Sequence, residues 1–498
     1  MHFNNIIKNG RYTQFVAANA VNILTISAGA SMAWTSPVLA KLAKDKSYSP
    51  FPRHITSPEA MWMGALVSLG TAVGPFICAF STNKIGMKQT LLWSALPSLV
   101  GWILTASATT IMQLLVARFI LGIACSVVFS VAPSYVSEIA DNTFRDCCGK
   151  LLVNFWFDDQ VKLQKLLAID QLLTRTNNGP MMTGLEDVIN VELGLIKAVK
   201  ALVNDQTFGR SCVVLMHCYT LLVGKLDKAK ASLVRLRDRS ADEIDKEVKQ
   251  IQADVEAAKD GSYRELLCSG TQKLPLFLGI GLAVFFQLSG VTAVLIYAES
   301  LFEQTASSLS PDVMAMIMGA IQTFAALITP FIFDRCGRKS LLIFSGAGMT
   351  IAMGTFGAYF YIIENNLMNA DSLTSIPMGC IAAFIFTNSI GFGGAIWVVI
   401  SEIFPGHLRA HASAICTSIC FVTAFVIALT FDDLQALLKN SGTFGLYAFF
   451  CALSVIFVAV FLPETRGKTL KKFQKKLKTK FKSNVVDVGH DNPAMERH

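Results

Sequence analysis

Ten stretches of about twenty mostly apolar residues recur along this chain, and no other feature restricts its fold so tightly. They cover 14–36, 60–81, 90–108, 112–136, 274–298, 313–333, 340–362, 376–402, 411–430 and 443–462. A helix needs about 20 apolar residues to cross the hydrocarbon core of a bilayer. In lipid, every backbone N–H and C=O must also find its partner inside the structure. The windows therefore predict an all-α membrane protein with ten recognisable spans. Charge usage agrees, because only 16% of the 498 residues are charged, against about 25% in soluble domains. Small residues punctuate the windows, among them Gly64, Gly70 and Gly74 in the second and Gly391, Gly393 and Gly394 in the eighth. Small side chains let membrane helices approach closely, where hydrophobic force alone contributes little.

The basic residues orient the spans. Lys84 and Lys88 follow the second window, Arg145 and Lys150 the fourth, Arg335, Arg338 and Lys339 the sixth, and His407 and Arg409 the eighth. The tail from Arg466 to Lys482 is strongly basic. Positive loops stay on the cytoplasmic side, so both termini are expected in the cytoplasm. The same rule accounts for the net charge of +8 without a nucleic-acid partner; the lipid bilayer is the expected surroundings.

The middle of the chain breaks the pattern. Residues 158–210 carry 13 charged side chains, and the apolar run Cys212–Gly224 is only 13 residues long, too short to cross. Residues 225–266 read as charged helices with alternating signs four apart, a solvated surface. The expected organisation is a four-span bundle over 1–149, an atypical charged segment over 150–223, and a cytoplasmic helical loop over 224–272. A six-span bundle over 273–465 and a basic cytoplasmic tail over 466–498 complete it.

Other chemistries find little support in the sequence. The 12 cysteines mostly sit in or beside apolar stretches, with no metal-ligand or disulfide-framework spacing. The histidines form no HExxH, and no phosphate-cradling glycine loop or nucleophile–base–acid set occurs. We expect no metal, no cofactor and no enzyme. The polar start of the chain does not read as a cleavable leader.

Two features occur twice. Asn83–Lys88 after the second window is echoed by Asp334, Arg335, Cys336, Gly337, Arg338 and Lys339 after the sixth, 251 residues on. Glu138 is followed seven residues later by Arg145, and Glu402 by Arg409. Weak symmetry of this kind marks a transporter built from duplicated bundles. The charged groups Glu138, Arg145, Asp334, Arg335, Arg338, Glu402 and Arg409 are candidates for a cytoplasmic network that gates the inner mouth; plain interfacial anchoring is the alternative.

An ordered set of motifs then carries a resemblance. Arg118 opens ARFILG; Pro133, Tyr135, Glu138, Ile139 and Ala140 form a PxYxxEIA pattern; Gln287 to Ala293 reads QLSGVTA. Asp334 to Lys339 is a complete loop motif, Gly391, Gly393 and Trp397 precede Glu402 and Arg409, and Pro463 to Leu470 reads PETRGKTL. The chain resembles the sugar porter branch of the major facilitator superfamily, and within it is similar to the insect facilitated trehalose transporters, over roughly 14–149 and 213–475.

The resemblance implies a major-facilitator-type bundle of 12 helices in two halves, a central site for a small sugar such as trehalose or glucose, and location in the plasma membrane. It assigns Gln287, Trp397, Gln322 and Tyr297 to the sugar site or its outer mouth, with Thr292 standing where the family has asparagine. Transport is expected to be facilitated, since the first span holds no carboxylate in its middle.

Departures accompany it. Phe286 replaces the first glutamine of the family's QQLSG, Asn83 and Met87 weaken the first loop motif, Gly394 and Ile396 stand where prolines flank the position before Trp397, and Cys420 and Phe421 replace an asparagine and a tryptophan. Residues 150–215 occupy the place of the fifth and sixth helices without their composition. A second reading therefore stands beside transport: a membrane protein without transport, either an inactive paralogue or the product of a misread gene model.

Overall fold

The computed structural model describes residues 27–32, 34, 35, 38, 55–132, 135, 263–270, 272–297, 301, 311–367 and 375–463. Every regular element among them is helical. The helices are α1 (Ser57–Ile85), α2 (Met87–Trp93), α3 (Ala95–Ala106), α4 (Ile111–Ser130), α5 (Tyr263–Cys268), α6 (Lys273–Leu288), α7 (Val291–Ile296), α8 (Pro311–Cys336), α9 (Arg338–Glu364), α10 (Ile376–Ile390), α11 (Phe392–Ile403) and α12 (Gly406–Phe461). Among the described residues, six stretches are long and apolar enough to span a bilayer: Ser57–Thr82, Ile111–Ser130, Lys273–Ile296, Arg338–Glu364, Ile376–Ile400 and His411–Phe461.

Where their residues are described, the apolar windows coincide with helices, but three that read as unbroken are interrupted. The window 90–108 divides at Ser94, 274–298 at Ser289 and Gly290, and 376–402 at Gly391. Hydropathy does not register backbone dihedrals, which is why these breaks were invisible in it. The opposite correction applies at the end of the chain. Residues 431–442, read as a connection between two spans, are helical apart from Lys439, whose φ of 58° and ψ of −179° interrupt α12.

Local chemistry starts and stops the helices where the sequence has the right groups. Thr56 is extended, and its N–H donates to Glu59 Oε2 at 2.9 Å, with Pro58 in the first turn of α1. At α4, Thr110 Oγ1 accepts from the N–H of Gln113. These are side-chain or first-turn devices that satisfy otherwise orphaned donors.

Contacts give the running directions without reference to a membrane. Glu364, at the end of α9, meets Asn440 and Ser441, while Lys339, at its start, donates to the Ala459 carbonyl at 2.6 Å. The part of α12 after Lys439 is therefore antiparallel to α9. Ser57 donates to Asp432 at 3.1 Å, and five residues on Trp62 packs edge-on against Phe425. The part of α12 before Lys439 is antiparallel to α1. One end of the bundle thus gathers Ser57, Glu364, Asp432 and Asn440; the other gathers Arg338, Lys339 and Ala459.

Packing in the first half is set by absent side chains. A Cβ on Gly70 would lie 2.2 Å from the Phe119 carbonyl oxygen, and one on Gly122 would lie 2.2 Å from that of Val67. Thr71 Oγ1 is bonded to both Val67 O at 2.8 Å and Gly122 O at 3.1 Å. Polar–backbone bonds and small residues together hold α1 on α4. The second half has a larger core, in which the rings of Phe356, Phe360, Phe444 and Tyr447 pack together between α9 and α12.

Candidate functional site

The apolar run of α6 carries one amide, Gln287, and the chain turns just beyond it. Gly290 has φ of 85°, and a Cβ there would lie 2.7 Å from the Tyr447 ring. Both the left-handed backbone and the close ring require glycine. The turn brings Thr292, on α7, back toward Gln287. Thr292 Oγ1 donates to Gln287 Oε1 at 2.5 Å, and Gln287 Nε2 donates to Cys420 Sγ on α12 at 3.3 Å. Gln287 and Cys420 are buried. A side chain that both donates and accepts is thus held between two helices at a helix break.

Just past α7 the chain closes onto α12. Tyr297 stacks on Phe431 with ring centroids 4.6 Å apart, and its hydroxyl donates to the Ala428 carbonyl at 3.0 Å. Ile296 packs against the α1 backbone at Gly64. This cluster lies toward the end that holds Ser57 and Asp432. The expected pair Gln287 and Thr292 is brought together, with Tyr297 one turn further on. Gln322 is buried in α8 and Trp397 is half-buried in α11 against the second-half core. Neither hydrogen-bonds to Gln287.

At the opposite end, Arg338 Nη2 and Glu402 Oε1 form an ion pair at 3.0 Å. It links the start of α9 to the end of α11, within the second half. Arg409 is exposed near the start of α12. Asp334 and Arg335 lie in α8, but their side chains are outside the described part of the structure. Glu138 and Arg145 lie outside the described residues, as do 136–262 and the tail from 464.

Two groups matter more than the sequence reading allowed. Arg118 is fully buried in α4. Its Nη1 donates to the Ser31 carbonyl at 2.7 Å, its Nη2 to Thr35 Oγ1, and its Nε to the Met63 carbonyl at 3.5 Å; Trp34 offers a ring face 5.0 Å away. The cation ties α4 to the first span and to α1 through neutral acceptors. A basic residue inside an apolar window was signal enough. Cys420 stood out only as the replacement of a family asparagine, since a thiol among apolar residues otherwise reads as packing.

The halves meet along one seam. From the Ser57–Asp432 end it runs through Trp62 and Phe425, then Ala72 against Phe421 and Ala424, with Phe129 also on Phe421 at 5.2 Å. Tyr263 of α5 finishes it, set edge-on to His411 at 4.5 Å and facing Phe76 at 6.4 Å.

Comparison with known proteins agrees with this arrangement. The family model described as sugar (and other) transporter matches residues 18–157 and 215–477. The facilitated trehalose transporter Tret1 of Apis mellifera ligustica is 30% identical over 471 residues, covering 94% of this chain and 88% of its own. Tret1 of Culex quinquefasciatus is 29% identical, covering 94% and 86%. Among solved structures, the proton:xylose symporter XylE bound to 6-bromo-6-deoxy-D-glucose superposes with a TM-score of 0.73 at 19% identity, covering 94% of this chain and 99% of that one. XylE from E. coli in a partially occluded inward-open conformation gives 0.72 at 18% identity, covering 92% and 100%. The structural likeness establishes a major-facilitator-type helical bundle.

Proposed function

The chain belongs to the sugar (and other) transporter family, and from that membership we propose that it carries a small sugar, trehalose or a hexose such as glucose, across a membrane by alternating access. The observation that carries this reading is Gln287. An uncharged amide is buried where a helix breaks, between α6 and α12. Its two-sided hydrogen bonding matches a sugar hydroxyl, which also donates and accepts.

Gln322, Trp397 and Thr292 are assigned to the same site or its edge, and Tyr297 to the outer mouth. The indole of Trp397 has a flat apolar face suited to a pyranose ring. Glu138, Arg145, Asp334, Arg335, Arg338, Glu402 and Arg409 are assigned to the inner charge network, where two packings of the halves exchange. Movement is facilitated in this reading. Arg118, the buried cation nearest the first span, has neutral acceptors, which supports sugar movement without proton exchange at that point.

The relatives align over 94% of the chain and are named as transporters, which favours transport over a membrane protein without it. The family match skips 158–214. We assign 150–223 to the place of the fifth and sixth helices, 224–272 to a cytoplasmic loop between the bundles, and both termini to the cytoplasm of a plasma-membrane protein.

Uptake of labelled trehalose and glucose into proteoliposomes tests the reading. Gln287→Ala should raise the half-saturation concentration about tenfold or more, because a lost buried hydrogen bond is worth roughly 1–3 kcal/mol and about 1.4 kcal/mol is tenfold. Unchanged half-saturation would remove Gln287 from the site, and absence of saturable uptake by the unaltered protein would remove transport of these sugars.

A further inference from the structure

Both ends of the Gln287 amide are occupied by the protein itself. Oε1 accepts from Thr292 across the Gly290 turn, and Nε2 donates to Cys420 across the α6–α12 contact. The two bonds differ in strength. Thr292 offers a hydroxyl at 2.5 Å, whereas Cys420 offers a thiol sulfur at 3.3 Å, and sulfur is a weak acceptor. Only the weak bond joins separate spans. It is also the one that must yield for that N–H, one of the two on Nε2, to reach a ligand lying between α6 and α12.

We propose that Cys420 is a positioning residue that acts through Gln287, clasping its amide weakly enough for a sugar hydroxyl to take over, and that the strength of this clasp sets the sugar affinity. The inference rests on the assignment of Gln287 to the sugar site. The reasoning is one of populations. A ligand's apparent dissociation constant is its intrinsic value divided by the competent fraction. While one of the two N–H groups of Nε2 is on the sulfur, that donor is not available. A thiol keeps the unclasped fraction substantial; a better acceptor at the same position would shrink it. Thr292 serves a different end. By fixing Oε1, it keeps the amide plane oriented while the other end exchanges partners.

The clasp also accounts for a buried thiol where a small polar group is needed. Cys420 is fully buried beside the seam residue Phe421, one turn beyond buried Cys416. A cysteine there packs as a small apolar residue and still offers one weak acceptor.

Two substitutions in the full-length protein separate affinity from fold. In Cys420→Ser the hydroxyl is the stronger acceptor, and the flexible glutamine side chain closes the shorter reach. The half-saturation concentration for trehalose or glucose uptake should rise about fivefold. In Cys420→Ala the acceptor is gone, and the same quantity should fall about two- to threefold. Maximal uptake per transporter, counted by quantitative immunoblot, should change little in either. Thermal stability without sugar should move the other way, rising in Cys420→Ser and falling in Cys420→Ala.

Opposite shifts in affinity, mirrored in sugar-free stability, are the expected result. A purely structural role would lower stability and uptake together in both variants. Shifts of the same sign in both, or no shift in either while the unaltered protein saturates normally, would overturn the clasp and leave the transport reading standing. Absence of saturable uptake by the unaltered protein would overturn both.

Discussion

Gly122→Ala is the sharpest test of how the first half is held together. The added Cβ would sit 2.2 Å from the Val67 carbonyl oxygen, 2.9 Å from Gly70 Cα and 3.0 Å from the Thr71 nitrogen. All three are backbone atoms of α1, so no rotamer change relieves the clash. The helices must part by about 1 Å to restore ordinary contact, and packing energy falls steeply over that distance. Overpacking costs roughly 1–3 kcal/mol. Parting the helices also stretches the Thr71–Gly122 hydrogen bond, now 3.1 Å, worth about 0.5–1.5 kcal/mol. The expected loss is about 2–4 kcal/mol. Gly379→Ala is the control, since nothing lies within 4 Å of a Cβ at that helical position. There the change should be neutral or stabilising by up to about 1 kcal/mol. The assay is thermal unfolding of the detergent-solubilised protein, followed by loss of the monodisperse chromatographic peak. If both substitutions leave the midpoint alike, the close approach of α1 and α4 is not a source of stability and the argument fails.

Further expectations concern the two ends of the bundle. In a double-mutant cycle on Arg338→Ala and Glu402→Ala, the 3.0 Å ion pair should give a coupling of roughly 0.5–3 kcal/mol in unfolding; strictly additive effects would dissolve the pair as a contributor. Glu364→Ala removes the carboxylate that accepts from the N–H groups of Asn440 and Ser441 at 3.0 and 3.2 Å. It should cost about 0.5–2 kcal/mol and speed amide exchange at 440 and 441, and exchange rates equal to those of the unaltered protein would refute the cap. An epitope inserted at Gln250 should bind antibody only after cells are permeabilised; staining of intact cells would invert the proposed topology.

Legibility in the sequence followed the length scale of each feature. Windows of about 20 residues average over enough side chains for hydropathy to find α1, α4 and α9 within a few residues. Single-residue events escape that average. Gly290 and Gly391 interrupt helices without altering hydropathy, and Lys439 carries an entire reversal in one residue. Much the same holds at the site. Gln287 was visible through the resemblance that the QLSGVTA run carries. Thr292 was visible only as a neighbour in the QLSGVTA run, and its bond to Gln287 depends on the Gly290 turn. Cys420, 133 residues along the chain from Gln287, could be paired with it only once α6 and α12 were packed. Arg338 and Glu402 were both named as gating charges; that they pair with each other within one half required the fold.

The reversal at Lys439 has a mechanical consequence. Before it, α12 runs from Gly406 without interruption, about 50 Å at 1.5 Å per residue. There is no slack at the turn: the next N–H groups, of Asn440 and Ser441, are already fastened to Glu364. A long rod pinned at one end magnifies small rotations. Tilting it by about 10° about Lys439 would swing the Gly406 end by about 9 Å, while Phe431, close to the pivot, would travel only a fraction of that. The same rod carries His411 near its far end and Cys420 partway along. A slight adjustment at the pinned end would thereby become a wide sweep at the other, with Cys420 travelling an intermediate distance between them.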